Sequence, residues 1–65
     1  MIYEELDTLI DECVRMKEQI LKLGLERFNA REDDIKSTDS YRKFDELQIM
    51  AEKMKAVLKD LNYAA

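Results

Sequence analysis

From Ile2 to Leu23, apolar residues recur at alternating intervals of four and three, and the chain contains no proline. This spacing is typical of the seam of a coiled coil, in which each helix packs one apolar stripe against a neighbour. A similar row follows later in the chain. The first row consists of Ile2, Leu6, Leu9, Cys13, Met16, Ile20 and Leu23, and the second of Phe44, Leu47, Ala51, Met54, Leu58 and Leu61. The two rows predict an all-α protein.

Residues 36–40 form the one turn-like segment between these rows, with the sequence KSTDS. Serine, threonine and aspartate are favoured at helix starts because their side chains accept hydrogen bonds from free backbone amides. A short turn places consecutive helices side by side and antiparallel. We therefore predict a single domain over residues 1–65, an antiparallel two-helix hairpin with helices at about 2–35 and 39–62. Counting back from the turn sets Ala51 opposite Leu23 and Gly24.

Gly24 is the only glycine and stands among good helix formers, where it costs about 1 kcal/mol relative to alanine. Two interpretations are open: Gly24 ends or bends the first helix, or it lets another backbone approach closely within a continuous helix. No capping residue follows it directly. We expect the continuous helix, with a local bend allowed.

The predicted hairpin has more apolar surface than it can bury. A chain of 65 residues is marginally stable alone, and the longer first helix is expected to extend beyond the second at residues 2–10. We therefore predict self-association into a four-helix bundle or a higher oligomer. The expected interface residues are Ile2, Tyr3, Leu6, Leu9, Ile10, Leu21, Leu25 and Phe28.

Composition excludes several classes of function. The net charge of −4 disfavours general nucleic-acid binding and anionic membranes. The chain has no histidine and one cysteine, Cys13, so we expect no catalytic nucleophile, no metal site and no cofactor. A single cysteine in an apolar row, without a signal peptide or a membrane span, predicts a cytoplasmic protein.

A cluster of basic and hydroxyl side chains around the turn is the best candidate for a ligand site. Guanidinium groups beside a helix start can bind a phosphate or a nucleotide. The alternative is that these charges pair with neighbouring carboxylates while the hydroxyls cap the helix. The candidate residues are Arg27, Arg31, Lys36, Thr38, Tyr41 and Arg42.

Two local resemblances were considered. The stretch from Ile20 to Arg31 resembles the first helix of the helical chorismate mutases, but the chain is too short for that family's third helix. In size, acidity and hairpin form the chain is similar to the hairpin phosphatases of the sporulation phosphorelay. Their Ser-Gln-Glu-Leu-Asp signature is replaced here by the run Ser40-Tyr41-Arg42-Lys43-Phe44-Asp45, which has a different spacing and no glutamine. Neither resemblance assigns a family.

The sequence therefore predicts a non-enzymatic regulatory protein that binds and inhibits or sequesters a partner protein, as phage inhibitors and small adaptors do by analogy. One alternative is sequestration of an anionic small molecule such as a nucleotide signal near the turn. A second alternative is a hairpin-type aspartyl-phosphate phosphatase that depends on Asp45.

Overall fold

The computed structural model describes residues 2–64, with side chains described for residues 2–61. These residues form three helices and no strand: α1 (Ile2–Arg27), α2 (Glu32–Lys36) and α3 (Asp39–Ala64). This confirms the all-α prediction. The Cα atoms extend over 51 × 18 × 12 Å, so the molecule is an elongated layer about two helices wide.

Helices α1 and α3 contact each other along their length and run in opposite directions. The Lys17 ammonium of α1 donates a hydrogen bond to Asp45 of α3 at 2.9 Å, and Lys55 of α3 pairs with Asp7 of α1. A step of ten residues forward along α1 therefore corresponds to ten residues backward along α3. This pairing sets Ala51 level with Asp11 of α1, so the predicted position opposite Leu23 and Gly24 is wrong.

Helix α1 ends at Arg27, eight residues before the predicted boundary at Ile35. The Gly24 carbonyl accepts hydrogen bonds from the amides of Phe28 and Ala30, at 3.3 and 3.1 Å. Between them Asn29 has φ 49°, a left-handed conformation that asparagine tolerates better than most residues. The chain then turns back through α2. Consequently α1 and α3 have 26 residues each, and the predicted overhang of residues 2–10 is wrong, as the Asp7–Lys55 pair shows.

Gly24 lies inside α1, three residues before its end, so the helix neither ends at Gly24 nor continues to Ile35 as the continuous-helix interpretation expects. A side chain from α2, and not another backbone, contacts it. A Cβ atom on Gly24 would lie 2.6 Å from Ile35 Cδ1 and 2.7 Å from Cγ1. Ile35 is only 4% exposed. Because α2 folds back onto the bare backbone at Gly24, Ile35 is buried there. If α1 continued as a helix to Ile35, this contact would not form. This gain in apolar burial explains why the first helix is shorter than its periodicity suggests.

Thr38 caps the start of α3. Its hydroxyl oxygen accepts a hydrogen bond from the Tyr41 amide at 3.4 Å and donates one to the Ile35 carbonyl at 2.6 Å. The Arg42 amide closes the first turn on the Thr38 carbonyl at 3.0 Å. The prediction that residues 36–40 supply helix-start capping is confirmed, and α3 continues to Ala64, two residues past the predicted end.

Candidate apolar interface

The predicted apolar row of α1 divides into a buried half and an exposed half. Leu6 and Cys13 are buried, whereas Leu9 and Met16 are exposed. Helix α3 behaves in the same way, since Ala51 is buried and Met54 is exposed. Each predicted row therefore lies partly between the helices and partly on the outside of the helix pair.

The exposed halves of the two rows adjoin on one side of the molecule, which we call the front face. Ile2 lines a groove of about 330 Å³ together with Met54 and Val57, so the rows meet at this end. At the other end Leu23 lines a second groove with Ser40. Ser40 precedes Leu47 by seven residues, so the two lie in the same row of α3. The front face consists of Ile2, Leu9, Met16 and Leu23 of α1, and Leu47, Met50, Met54, Val57 and Leu61 of α3, all exposed.

The groove near Ser40 has a volume of about 440 Å³ and lies where α1, the connector and α3 meet. Phe28, which is 73% exposed, contributes to its wall. Apolar side chains dominate the lining, and three polar residues accompany them. The full lining is Ile20, Leu23, Gly24, Phe28, Ala30, Asp34, Ile35, Thr38 and Ser40. A pocket of this composition suits an apolar side chain better than an anion.

Of the six residues predicted to bind an anion, Thr38 lines this groove, and its hydroxyl is engaged in capping. The side chain of Lys36 pairs with Glu32 at 3.0 Å. Tyr41 lies beneath the Lys17 ammonium, 5.7 Å from the ring centre. Lys36 and Tyr41 thus have partners within the chain, and neither lines the groove near Ser40.

Charge pairing, the alternative interpretation of this basic cluster, is observed only in part. The hydrogen bond and charge of Glu32 raise the pKa of Lys36 above its ordinary value. Among the side chains that the structure describes, Arg27, Arg31 and Arg42 form no ion pair within 4.0 Å. The charge pairing observed in this cluster, among the described residues, is thus the pair of Lys36 and Glu32.

The predicted interface residues fall into three groups. Ile2, Leu9, Leu25 and Phe28 are exposed. Tyr3, Ile10 and Leu21 are half-buried, and Leu6 is buried inside the chain. The predicted interface leaves out the exposed α3 half of the front face, although its row of Leu47, Met54 and Leu61 is visible in the heptad spacing. The reason is that this row was assigned to the contact between the two helices.

No group of three or more cysteine or acidic side chains suitable for a metal ion occurs within the described part of the chain. None of the helices, as far as they are described, is both long and apolar enough to cross a bilayer. Comparison of the chain with protein-family models, with curated proteins and with solved structures finds no match.

Proposed function

We propose that this chain is a small non-enzymatic cytoplasmic protein, a self-associating helical hairpin that acts by binding and inhibiting or sequestering another protein. The front face is the observation that supports the proposal. Its nine large apolar side chains are exposed along both helices. Surfaces of this extent on small proteins usually mark interaction sites.

The chemistry of the side chains also favours binding over catalysis. The chain has no histidine to act as a base, and its one cysteine is buried between helices. Asp45, on which the phosphatase alternative depends, is paired with the Lys17 ammonium. The nucleotide and phosphatase alternatives remain predictions from the sequence, because no contact in the described residues favours either.

Capture followed by reconstitution tests the proposal. The tagged chain is used to capture proteins from its source cell, and each captured protein is then purified and recombined with the untagged chain. Native mass spectrometry should show a complex of fixed stoichiometry. Formation of this complex is compared between two variants of α3. Met50→Lys places a charge on the front face, and Lys59→Glu changes a charge at another exposed position.

Two results would contradict the proposal. One is the failure of every captured protein to rebind when purified. The other is robust turnover, for example loss of phosphate from a phosphorylated response regulator, that disappears in Asp45→Asn while the helical circular dichroism is unchanged.

A further inference from the structure

The front face has the dimensions of a protein–protein interface. The layer measures 51 by 18 Å, which gives a footprint on the order of 900 Å², close to the roughly 800 Å² that each partner buries in a standard interface. A second layer about two helices in width, such as another copy of this chain provides, would cover both rows along their full length.

The two edges of the front face carry different charges. Along α1, the positions three residues after each front-face residue are Glu5, Glu12, Gln19 and Glu26. This edge is acidic, and the Arg15 guanidinium lies beside it, 3.7 Å from the Glu12 carboxylate. The outer edge of α3 carries Lys43, Glu46, Lys53 and Asp60. Lys53 borders the face directly, because it lines the same groove as Ile2 and Met54.

We propose that a second copy of this chain covers the front face, with α1 of each copy packed on α3 of the other. The inference rests on the self-association part of the proposed function and specifies its geometry. A two-fold axis parallel to the helices produces this arrangement, in which each acidic α1 edge faces an α3 edge of mixed charge that includes Lys53. The result is a four-helix bundle with all neighbouring helices antiparallel.

Heights along the helices support this choice. Since Lys55 pairs with Asp7, Lys53 lies at the height of residue 9 of α1. A two-fold axis parallel to the helices keeps these heights in the second copy. Lys53 then lies between Glu5 and Glu12 of the second copy, four and three residues away along the axis, or roughly 6 and 4.5 Å. Both carboxylates are within reach of a lysine side chain.

The other face-to-face arrangement places α1 on α1 and α3 on α3. It brings two acidic α1 edges together in every register, because the edge has no basic residue among its four positions. Like charges facing each other across an interface oppose association. The charge pattern thus discriminates between the two ways of closing the same apolar face.

Charge reversal tests the arrangement, because the two ways of packing the face predict effects of opposite sign on the dimer dissociation constant. If α1 packs on α3, Glu12→Lys places a lysine near Lys53 of the second copy, and the dimer dissociation constant should rise by about tenfold over the two symmetric contacts. Lys53→Glu should weaken the dimer in the same way. The swapped variant that carries both changes should recover to within about threefold of the native value.

Glu18→Lys is the matched control, because it makes the same change in charge on the opposite side of α1, where Glu18 is exposed. Dissociation constants are measured by sedimentation equilibrium, and helical circular dichroism confirms that each variant is folded. If the native dimer is too tight to dissociate, all variants are compared in a Val57→Ala background. Tightening by Glu12→Lys, beyond any effect of Glu18→Lys, would overturn the proposed arrangement in favour of α1 on α1.

A second pair of variants tests the face itself. Val57 and Ile49 are both exposed on α3, at 58% and 45%, but Ile49 lies outside the front face. Val57→Glu should give a folded monomer, and Ile49→Glu should leave the dimer intact.

The assembly state of the native chain is the second test. A 7.7 kDa monomer at about 100 µM, far above a micromolar dissociation constant, overturns the inference. An assembly larger than two copies overturns it as well. These measurements use the pure chain alone, so they are independent of whether a partner protein is captured.

Discussion

The contact between α1 and α3 and the front face beside it are built from different kinds of side chain. Cys13 and Ala51 are the buried residues at the middle of the contact, and Lys17, Gln48 and Lys55 lie half-buried around them. The front face, in contrast, consists of large aliphatic side chains and methionines that are exposed. The small residues let the helices approach closely, and the polar ones fix their direction through specific pairs.

This difference shows that heptad periodicity predicts which residues are apolar without telling which neighbour covers them. Large apolar side chains supply most of the free energy of burial, about 1.5–3 kcal/mol each. About half of the surface of the front-face side chains, from 36% to 59% of each, is still exposed in the single chain and can contribute to association. The contact between α1 and α3 determines how the two helices pack, and the front face provides the apolar surface that association would bury.

The sharpest test of this difference compares two leucines of the same row. Leu6 is 6% exposed and Leu9 is 42% exposed. Leu6→Ala should lower the free energy of unfolding by about 2–4 kcal/mol, because it opens a cavity. Leu9→Ala should cost less than about 1 kcal/mol in the single chain and should mainly weaken association. Urea denaturation at two protein concentrations measures both effects, and equal losses from the two variants at the lower concentration would contradict the distinction.

The close contact at Gly24 provides a test in which one substitution, Gly24→Ala, should have opposite effects on stability in two backgrounds. Gly24→Ala gains up to about 1 kcal/mol in helix propensity but forces Ile35 to move, at a typical cost of 1–3 kcal/mol for overpacking. We expect a net loss of about 1 kcal/mol. In an Ile35→Ala background the clash is removed, so Gly24→Ala should stabilise the chain. A thermal denaturation cycle over the four variants measures the coupling, and the same sign in both backgrounds would contradict the contact.

Gln48 offers a way to stabilise the contact between the helices. Its Oε1 atom is buried without a hydrogen-bond partner, while its Nε2 donates to Glu52 at 2.8 Å on the surface. Gln48→Met should raise the free energy of unfolding by about 1 kcal/mol, because it removes an unsatisfied acceptor and keeps the side-chain volume. Glu52→Ala controls for the lost surface hydrogen bond and should change stability by less than about 0.5 kcal/mol. Destabilisation by Gln48→Met would show that its oxygen has a partner.

The pair of Lys17 and Asp45 should contribute less. The lysine side chain is 15% exposed and the aspartate 48%, so solvent screens the pair on one side. A double-mutant cycle with Lys17→Met and Asp45→Asn should give a coupling energy of about 0.5 kcal/mol. The coupling should shrink in 1 M NaCl. A coupling that is zero at low salt would remove this pair as a determinant of helix direction.

Lys36 lies outside both surfaces and should have the smallest effect. Its pKa is raised from 10.5 by Glu32, so the folded state binds this proton more tightly than the unfolded state. The stabilisation is therefore present below the unfolded pKa and is lost as pH rises through the folded pKa. The difference in melting temperature between the native chain and Lys36→Gln should be slight at pH 7 and should vanish once the pH exceeds the folded pKa. A difference that grows with pH would contradict this assignment.

Periodicity and turn chemistry were enough to predict the helical class, the second helix to within two residues at its end, and the cap at Thr38. The end of α1 was predicted wrongly, because the gain from packing Ile35 on Gly24 depends on a contact between distant residues. The same error shifted the pairing of the helices and created the false overhang. Residues 28–31 are compatible with a helix locally, and the tertiary contact decides against it.

For the candidate site, the sequence indicates surplus apolar surface, and the predicted residues coincide only in part with the side chains that the structure exposes. Leu6 was placed at an interface between copies, yet it is buried within the chain. Met50 and Val57, which belong to neither predicted row, are exposed beside the α3 row. A row of apolar residues wider than one stripe has two neighbours, and only three-dimensional packing decides which residues face which.

Cys13 gives the chain an internal reporter of its own opening. It is the single cysteine of the sequence and is 2% exposed between the helices. A thiol reagent can reach it only when α1 and α3 separate, so the labelling rate measures how often that separation occurs. If a second copy clamps the helices together, labelling should slow as protein concentration rises. Assembly can thus be followed as protection of one sulfur atom, without an added probe.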